Sequence, residues 1–432
     1  MSTHTMQPNT EMEGKKSLAD IVGGLMPTST PIKSDKSTTE TMRACTYQGS
    51  NTMEMKSVPK PLVSDPRDAI IKITTAAICG SDLHMYTGAL NPAMAKGDVL
   101  GHEMVGVIES VGSEVKTRKV GDRVCIAGPI ACGTCEFCQK GLFSCCDTTN
   151  PSGAMDKLYG SRLCGAYGYS HSTGGYWGGQ AQFLRVPFAD VNTLPLPVDI
   201  SDDAAVLLSD IACTSWQACE LSEVKEGSTV AIWGLGPVGL LTAMWAKERG
   251  AKTIIGIDYV KERLDVASKV LSIITVDFKK QDVMTEVSTV CPGGVDCAIE
   301  IAGFRYAKGW LHTIETTLKL ETDAIESIVE ALKLCRKGGN VAIMGDYFGY
   351  ANHYPIGAQM EKMLTIRGGQ VCTQRYWKDI LERFRKGLKC GIDPTFIITD
   401  RLPLEQAPEG FRKFNAKEDG VIKVLLKANG AK

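Results

Sequence analysis

The chain has 432 residues, of which 44% are hydrophobic, so it is long enough for two ordinary domains with sizeable cores. Its 48 basic and 49 acidic side chains nearly cancel, which argues against a polyanion such as nucleic acid as a partner. It contains no apolar run of about 18 residues, so we expect no membrane-spanning helix.

The chain contains 16 cysteines, a number that would suggest disulfide bonds in a secreted protein. Residues 1–41, however, lack the charged and apolar regions of a secretory signal. They are rich in Ser, Thr, Met and charged residues, which predicts a mobile tail, and they have too little Arg for a mitochondrial transit peptide. We therefore expect a reducing, cytoplasmic location in which cysteines bind metal.

The folded part is predicted to begin with a strand at residues 42–47. Further strands are predicted at residues 69–77 and 105–111 and from Gly121, because apolar or β-branched residues there lie between glycine turns. Short strands with such turns predict a mostly β, barrel-like lobe, to which residues 42–207 are assigned.

Two short segments of this lobe carry candidate metal ligands. Cys79 lies in Cys-Gly-Ser-Asp, and His102 lies in the later Gly-His-Glu. Thiolate and imidazole are the ligands that Zn²⁺ prefers, and a site with three protein ligands leaves a position for substrate. Asp82 can orient the ring of a ligating histidine, and Ser81 and His84 can relay a proton. The alternative is a buried structural cysteine and a surface histidine.

A second cysteine cluster, within residues 130–147, has the pattern C-x₂-C-x₂-C-x₇-C. Four thiolates at this spacing close a tetrahedral shell around one zinc, so this site is predicted to be structural. The adjacent Cys145 is an alternative fourth ligand, and an iron–sulfur centre is an alternative occupant that the spacing disfavours. The predicted ligands are Cys132, Cys135, Cys138 and Cys146.

The segment at residues 147–179 is dense in Gly, Tyr and Ser. A loop of this length in a compact domain is usually functional or mobile. Its His171, Tyr176 and Trp177 are candidates for lining a pocket, with packing or a surface position as the alternative.

A helix is predicted over Ile211–Leu221, directly after the run Leu-Ser-Asp. Ser209 or Asp210 is either the N-cap of this helix or, in the case of Asp210, a carboxylate ligand for the catalytic metal. Cys213, one turn further on, is the competing ligand. The residue types by themselves do not decide between Asp210 and Cys213.

Residues 208–366 are predicted to bind a dinucleotide. A strand at 228–233 leads into a G-x-G-x-x-G turn and a helix, and a second strand ends at Asp258. In this context the glycine motif indicates dinucleotide binding. Asp258 would bond the adenosine ribose hydroxyls and repel a 2′-phosphate, so NAD is favoured, whereas Arg263 keeps NADP open. A generic strand–helix turn is the alternative. The turn that would hold the pyrophosphate comprises Gly234, Gly236, Pro237, Val238 and Gly239.

Strands and helices keep alternating to about residue 344, which predicts a doubly wound parallel sheet. Residues 305–322 are longer than a usual connection and are interpreted as a cover over the cofactor or an oligomer contact. Residues 367–432 are predicted to return to the first lobe through a helix at 376–386 and short strands near 396–399 and 421–426.

The order of these motifs resembles the zinc-dependent medium-chain alcohol dehydrogenases from about residue 42 to the C-terminus. The run Leu-Ser-Asp most resembles the glutathione-independent formaldehyde dehydrogenases, in which an aspartate replaces the usual cysteine ligand, and this favours Asp210. The resemblance implies an α/β protein with a Rossmann doubly wound parallel sheet and a β-rich GroES-like catalytic domain.

The same resemblance implies roles for the remaining site residues. Thr214 should lie against the nicotinamide, and Lys423 should lie near the cofactor pyrophosphate. Glu103 should lie behind the catalytic zinc as a further ligand. Ser81 should bond the substrate oxygen, with His84 as the outer proton acceptor.

The resemblance therefore implies an enzyme that transfers a hydride between a small alcohol or aldehyde hydrate and NAD. It further implies two zinc ions per chain and a homodimer or homotetramer. A formaldehyde dehydrogenase or dismutase, or a polyol or threonine dehydrogenase, is the alternative within the family. A zinc-free reductase is disfavoured by the Cys79/His102 pair, and a non-enzymatic protein by the complete ligand set and relay.

Overall fold

Two sheets organise the computed structural model, which describes residues 35–90, 93–304 and 323–430. The strands are β1 (Lys36–Gly49), β2 (Thr52–Pro61), β3 (Ala69–Ile78), β4 (Met104–Val111), β5 (Arg123–Ile126), β6 (Pro129–Ile130), β7 (Gly165–Ala166), β8 (Phe183–Val186), β9 (Thr193–Pro195), β10 (Thr229–Trp233), β11 (Thr253–Asp258), β12 (Ile274–Asp277), β13 (Val295–Glu300), β14 (Cys335–Ile343), β15 (Thr365–Gly368), β16 (Ile398–Pro403) and β17 (Lys423–Lys427).

The helices connect these strands and cover the second sheet. The α-helices are α1 (Asp82–Tyr86), α2 (Glu136–Gln139), α3 (Ala154–Tyr159), α4 (Ala189–Asn192), α5 (Asp202–Leu207), α6 (Ile211–Leu221), α7 (Pro237–Glu248), α8 (Lys261–Lys269), α9 (Val283–Val290), α10 (Glu326–Leu334), α11 (Ile356–Glu361), α12 (Thr373–Lys386) and α13 (Ala407–Ala416). Short 3₁₀ turns lie at Phe143–Cys145, His171–Thr173, Pro394–Ile397, Leu404–Gln406 and Glu418–Gly420.

The first lobe is built on a mixed sheet with the strand order β16-β17-β3-β4-β5-β9, and β8 also pairs with β3. β3 lies in its interior because its residues are apolar on both faces and almost all are buried. β17 comes from the C-terminal part of the chain and pairs with β3, so the chain returns to this lobe at Lys423–Lys427.

The pairing of β3 with β4 brings the two predicted ligand segments together. The strands are antiparallel, with Ala76 opposite Met104, so the end of β3 and the start of β4 lie at the same edge of the sheet. Ala77 N also donates to Glu103 O at 3.1 Å. Cys79 follows β3 and His102 precedes β4, and the two are therefore neighbours in space despite their separation in sequence.

The second lobe is a six-stranded parallel sheet with the order β12-β11-β10-β13-β14-β15. The order reverses between β10 and β13, and open sheets of this kind bind ligands at the carboxyl ends of the strands beside such a reversal. The glycine turn follows β10 at this position. Gly234 has a φ of +95°, and a Cβ on Gly239 would collide with the carbonyl oxygen of Gly234, so both positions require glycine.

Helix α6 connects the two lobes and carries the candidate carboxylate ligand at its start. The indole Nε1 of Trp245 in α7 donates to Ala212 O at 3.1 Å, and Nε1 of Trp377 in α12 donates to Leu208 O at 2.9 Å. Both indoles are almost fully buried. Trp377 thus holds the turn before α6 and Trp245 holds its first turn, and Asp210 lies between these two contacts.

Most predicted elements are confirmed, and α6 has the predicted bounds. The start of the fold is corrected: the first strand begins at Lys36 rather than residue 42, and it forms a hairpin with β2, which was not predicted. The predicted boundary after residue 366 falls inside β15, which continues to Gly368. The predicted cover at residues 305–322 and most of the predicted tail lie outside the described residues. None of the described helices has the length and apolar character needed to cross a membrane.

We expect Arg185→Ala to destabilise the first lobe by about 3–5 kcal/mol, because it leaves a buried carboxylate without its partner. Arg185 Nε lies 2.7 Å from Asp68 Oδ2, and the two side chains are 6% and 1% exposed. The measurement is urea unfolding. Arg162→Ala is the matched control, since its partner Asp156 is on the surface, and it should change the free energy of unfolding by less than about 1 kcal/mol. Equal effects of both variants would contradict this prediction.

Candidate active site

Four side chains that can bind a metal meet where the two lobes face each other. The ligand atoms of Cys79, His102, Glu103 and Asp210 all lie within 4.8 Å of one another. The first three side chains are buried, and that of Asp210 is 16% exposed. The group draws on both lobes, because Asp210 begins α6 while the others flank β3 and β4.

The orientation of His102 is set by a buried carboxylate. Nδ1 of His102 lies 3.3 Å from Asp82 Oδ1, and Asp82 Oδ2 accepts hydrogen bonds from Cys79 N at 2.9 Å and from Gln180 Nε2 at 3.1 Å. Nε2 of His102 therefore faces the cluster, 3.3 Å from Asp210 Oδ2 and 3.2 Å from Ser81 Oγ. This is the carboxylate–histidine arrangement that fixes a ligating ring in metal sites.

The charges in the cluster suit a divalent cation. Burial and the neighbouring charge of Glu103 raise the pKa of the Cys79 thiol, so the thiolate needs positive charge nearby. Burial alone would lower the pKa of His102, but the charges of Asp82 and Cys79 and its hydrogen bonds to carboxylates outweigh this and raise it well above the usual value. One thiolate, one imidazole and carboxylate oxygens are a donor set that fits Zn²⁺.

The structure favours Asp210 over Cys213 as a ligand. Asp210 stands at the N-cap position of α6, but its side chain makes no capping bond there. Its Oδ1 accepts from Thr214 Oγ1 at 2.5 Å, and its Oδ2 faces His102. The thiol of Cys213 instead donates to Leu208 O at 3.3 Å, and burial raises its pKa well above the usual value.

Lys423, which is expected near the cofactor pyrophosphate, lines the cleft and pairs with a ligand candidate. The ammonium of Lys423 lies 2.6 Å from Glu103 Oε2 and 3.2 Å from Ile78 O, and both side chains of the ion pair are fully buried. Burial would lower the pKa of Lys423, but the charges of Glu103 and Cys79 outweigh this and raise it. Lys423 thus remains cationic and neutralises Glu103 behind the cluster.

A cleft of about 770 Å³ extends from the ligand cluster to the glycine turn. Ser81, His84 and Thr214 line it at the cluster end. From the long segment at 147–179, Tyr159 and Tyr169 line it rather than the three candidates predicted there. At the far end it is lined by Gly234, Gly236, Pro237, Val238, Asp258 and Arg263.

The three candidates from the long segment serve packing instead. His171 Nε2 lies 3.1 Å from Asp98, and the hydroxyl of Tyr176 donates to Thr149 O at 2.6 Å. The ring of Trp177 lies against the ammonium of Lys36 at 3.3 Å. The alternative interpretation of these residues is therefore correct.

Asp258 ends β11 at the far end of the cleft. Its Oδ2 accepts from Leu235 N at 2.7 Å, and its Oδ1 accepts from Tyr259 N at 2.6 Å and Val260 N at 2.9 Å. Nη1 of Arg263 lies 3.8 Å from Oδ2. The backbone thus holds the carboxylate in one orientation beside the glycine turn.

The four predicted structural cysteines lie together in a part of the first lobe that is separate from the catalytic cluster. The thiols of Cys132 and Cys138 are 3.9 Å apart, and so are those of Cys135 and Cys146. A tetrahedron with metal–sulfur bonds of about 2.3 Å has edges of about 3.8 Å, so these positions fit one zinc ion. Cys145 is outside the cluster and lines the cleft instead.

One residue of the site was missed by the sequence analysis. Asp346 lies just after β14, and its Oδ2 is 3.2 Å from His84 Nε2 and 3.3 Å from the hydroxyl of Tyr169. Its position at the carboxyl end of a parallel strand is the signal that could have identified it, because ligands bind at that edge.

A group of metal-ligand side chains and a dinucleotide-type turn in one cleft are the features of a metal-dependent dehydrogenase. The family model described as alcohol dehydrogenase GroES-like domain matches residues 65–197. A zinc-type alcohol dehydrogenase-like protein of Schizosaccharomyces pombe is 42% identical over 386 residues, covering 89% of this chain and 90% of the relative. A glutathione-independent formaldehyde dehydrogenase of Pseudomonas aeruginosa is 31% identical, covering 87% and 95%.

Solved structures agree with these relatives. The alcohol dehydrogenase TADH from Thermus sp. ATN1 has a TM-score of 0.75 and 32% identity, covering 90% of this chain and all of the other. The chain therefore belongs to the zinc-dependent medium-chain alcohol dehydrogenase family. It is a zinc-dependent oxidoreductase that acts on alcohols.

We expect Asp210→Ala to remove about one zinc ion per chain, because the site then loses its carboxylate from α6. Cys213→Ser is the matched control: it lies on the same helix outside the cluster and should keep the zinc content of the wild type. The measurement is elemental analysis of purified, dialysed protein. A Cys213 variant that loses zinc while the Asp210 variant keeps it would reverse the assignment.

Proposed function

We propose that the chain oxidises an alcohol or aldehyde hydrate reversibly with NAD, and that Cys79, His102 and Asp210 hold the catalytic zinc. The observation that carries this proposal is the convergence of these ligand atoms within 4.8 Å at one end of a cleft whose other end is the glycine turn. Glu103 lies within reach as a further ligand, and the ammonium of Lys423 lies 2.6 Å from its Oε2.

The cofactors supply two kinds of chemistry that no side chain here provides. When bound, zinc would supply a Lewis acid for the substrate oxygen and the nicotinamide a hydride acceptor. The residues of the cleft between the lobes would hold both. Thr214, one turn into α6, lines the cleft beside the ligand cluster and is proposed to contact the nicotinamide.

The proton of the substrate hydroxyl is proposed to leave through Ser81 and His84. Ser81 Oγ is at the ligand cluster, 3.2 Å from His102 Nε2, so it is within reach of a substrate oxygen there. Ser81 and His84 share one helical turn, since His84 N donates to Ser81 O at 3.0 Å. A hydroxyl can accept one proton while it donates its own, and an imidazole can take up the donated proton.

A second zinc ion is proposed in the four-cysteine lobe. Backbone amides of Cys132, Thr134 and Cys135 point at sulfur atoms of the cluster at 3.3–3.4 Å. Burial opposes ionisation of Cys132, but hydrogen bonds from Thr148, Thr134 and Cys135 outweigh this and lower its pKa to about 6. With four thiolates and no open position, this ion would be structural.

NAD is proposed as the preferred cofactor. The carboxylate of Asp258 lines the far end of the cleft, where it can accept from ribose hydroxyls and repel a 2′-phosphate.

We also propose a homo-oligomer, which the family resemblance supports, and a cytoplasmic location. The described cysteines are all free thiols, as a reducing compartment requires.

We expect Ser81→Ala to lower kcat by about 10²–10⁴-fold, because it removes the first group of the proton relay. Ser81→Thr keeps the hydroxyl and is the matched control. The measurement is alcohol oxidation followed by reduced nicotinamide, over a panel of primary alcohols, polyols, amino alcohols and formaldehyde. Full turnover of the alanine variant at unchanged zinc content would refute this role.

We expect the wild type to prefer NAD over NADP, and Asp258→Ala to narrow that preference, because the charge that repels the 2′-phosphate is gone. The measurement is the ratio of kcat/KM for the two cofactors. Asp265→Asn removes a carboxylate from the exposed face of α8 and should leave the ratio unchanged. A wild type that prefers NADP would show that Asp258 does not select the cofactor.

A further inference from the structure

His84 has a carboxylate on one ring nitrogen only. Nε2 lies 3.2 Å from Asp346 Oδ2, whereas Nδ1 is buried and has no hydrogen-bond partner among the described residues. The residue as a whole is 6% exposed. An imidazole with a carboxylate beside one nitrogen and no partner on the other can still accept a hydrogen bond at the unpaired nitrogen, and in a catalytic cleft a proton donor can supply that bond.

The carboxylate comes from the opposite lobe. His84 lies in α1 of the first lobe, while Asp346 follows β14 of the parallel sheet. Asp346 O accepts from Phe304 N at 3.0 Å, and the ring of Phe304 packs on that of His84 with centroids 4.8 Å apart. The second lobe therefore holds this imidazole both by a charge and by an aromatic face.

A third contact keeps the carboxylate in place. The hydroxyl of Tyr169 lies 3.3 Å from the same oxygen of Asp346. Burial, together with the charge of Asp346, raises the pKa of Tyr169 well above its usual value, so the phenol stays protonated and donates. Asp346 Oδ2 thus accepts from the Tyr169 hydroxyl and lies within hydrogen-bond distance of the His84 ring, both from the first lobe.

We propose that Asp346 is a positioning residue for the proton relay, an inference that rests on the proposed role of His84. With Asp346 Oδ2 at 3.2 Å as the acceptor for a proton on Nε2, the favoured tautomer of His84 is the one in which Nδ1 is the free acceptor. When the substrate O–H bond breaks, the relayed proton forms an Nδ1–H bond, and Asp346 balances the charge of the imidazolium. The proton then leaves Nδ1 for water that enters the cleft once the products have departed, and the starting tautomer is restored.

Because the two partners belong to different lobes, the pair exists only when the lobes are apposed as they are here. The relay is thereby complete in the same arrangement that closes the cleft around substrate and cofactor. A competing role exists for Asp346, since its side chain is 38% exposed in the cleft and could bind a polar group of the substrate directly.

The test is a double-mutant cycle of His84→Ala, Asp346→Asn and the double variant, in zinc-loaded enzyme. We expect Asp346→Asn to lower kcat about 10–100-fold with little change in KM, as the loss of an orienting partner of a histidine does elsewhere. In the His84→Ala background the same substitution should have no further effect, because its action passes through the imidazole. Tyr169→Phe, which leaves both partners in place, should cost less than Asp346→Asn.

A spectroscopic readout separates this role from a structural one. Nitrogen NMR of enzyme labelled at histidine should show His84 as the Nε2–H tautomer in the wild type and as a mixture in Asp346→Asn. Zinc content and the urea midpoint should be unchanged in both.

The outcomes distinguish a failure of the proposed Asp346 role from a failure of the proposed His84 relay. If His84→Ala is impaired but Asp346→Asn is not, or if their effects multiply, the relay stands and the role of Asp346 is overturned. A rise in KM at unchanged kcat would also overturn it, in favour of direct substrate contact. Full activity of His84→Ala would overturn the relay, and the inference with it.

Discussion

The hydrogen bonds of the buried Asp82 carboxylate organise the catalytic centre. Asp82 joins the backbone of Cys79, the ring of His102 and the amide of Gln180, which lie on three separate segments of the chain. A buried carboxylate makes strong contacts with the groups that point at it, so it restrains all three. The positions of Cys79 and His102 are thereby restrained by the protein itself.

The candidate ligands of the catalytic metal place several acidic groups close together. Cys79, Glu103 and Asp210 bring anionic groups into a buried space, where each raises the cost of ionising its neighbours. Lys423, fully buried at the back, neutralises Glu103, and the rest of the negative charge faces the position where the ligand atoms converge. A divalent cation relieves this repulsion, so the zinc is as much a part of the site's stability as of its chemistry.

The active site is an interlobe structure, and this shapes its mechanism. The first lobe supplies Cys79, His102 and Ser81, while α6 and β14 bring Asp210 and Asp346 from the side of the parallel sheet. The indoles of Trp245 and Trp377 donate to Ala212 O and Leu208 O, and these two bonds restrain the backbone on either side of Asp210. These elements enclose the gap in which substrate and nicotinamide are proposed to meet.

The sequence alone indicated the fold class, the segments that carry Cys79 and His102, the four-cysteine cluster, the glycine turn and the bounds of α6. Each of these depends on local spacing or periodicity. The preference for Asp210 over Cys213 required the family resemblance, because both residue types can bind zinc and the two positions are only one helical turn apart. Only the tertiary structure showed that Lys423 pairs with Glu103 and that Asp346 meets His84. Those contacts join residues from distant parts of the chain, and no local pattern records which side chains two packed lobes will bring within hydrogen-bond distance.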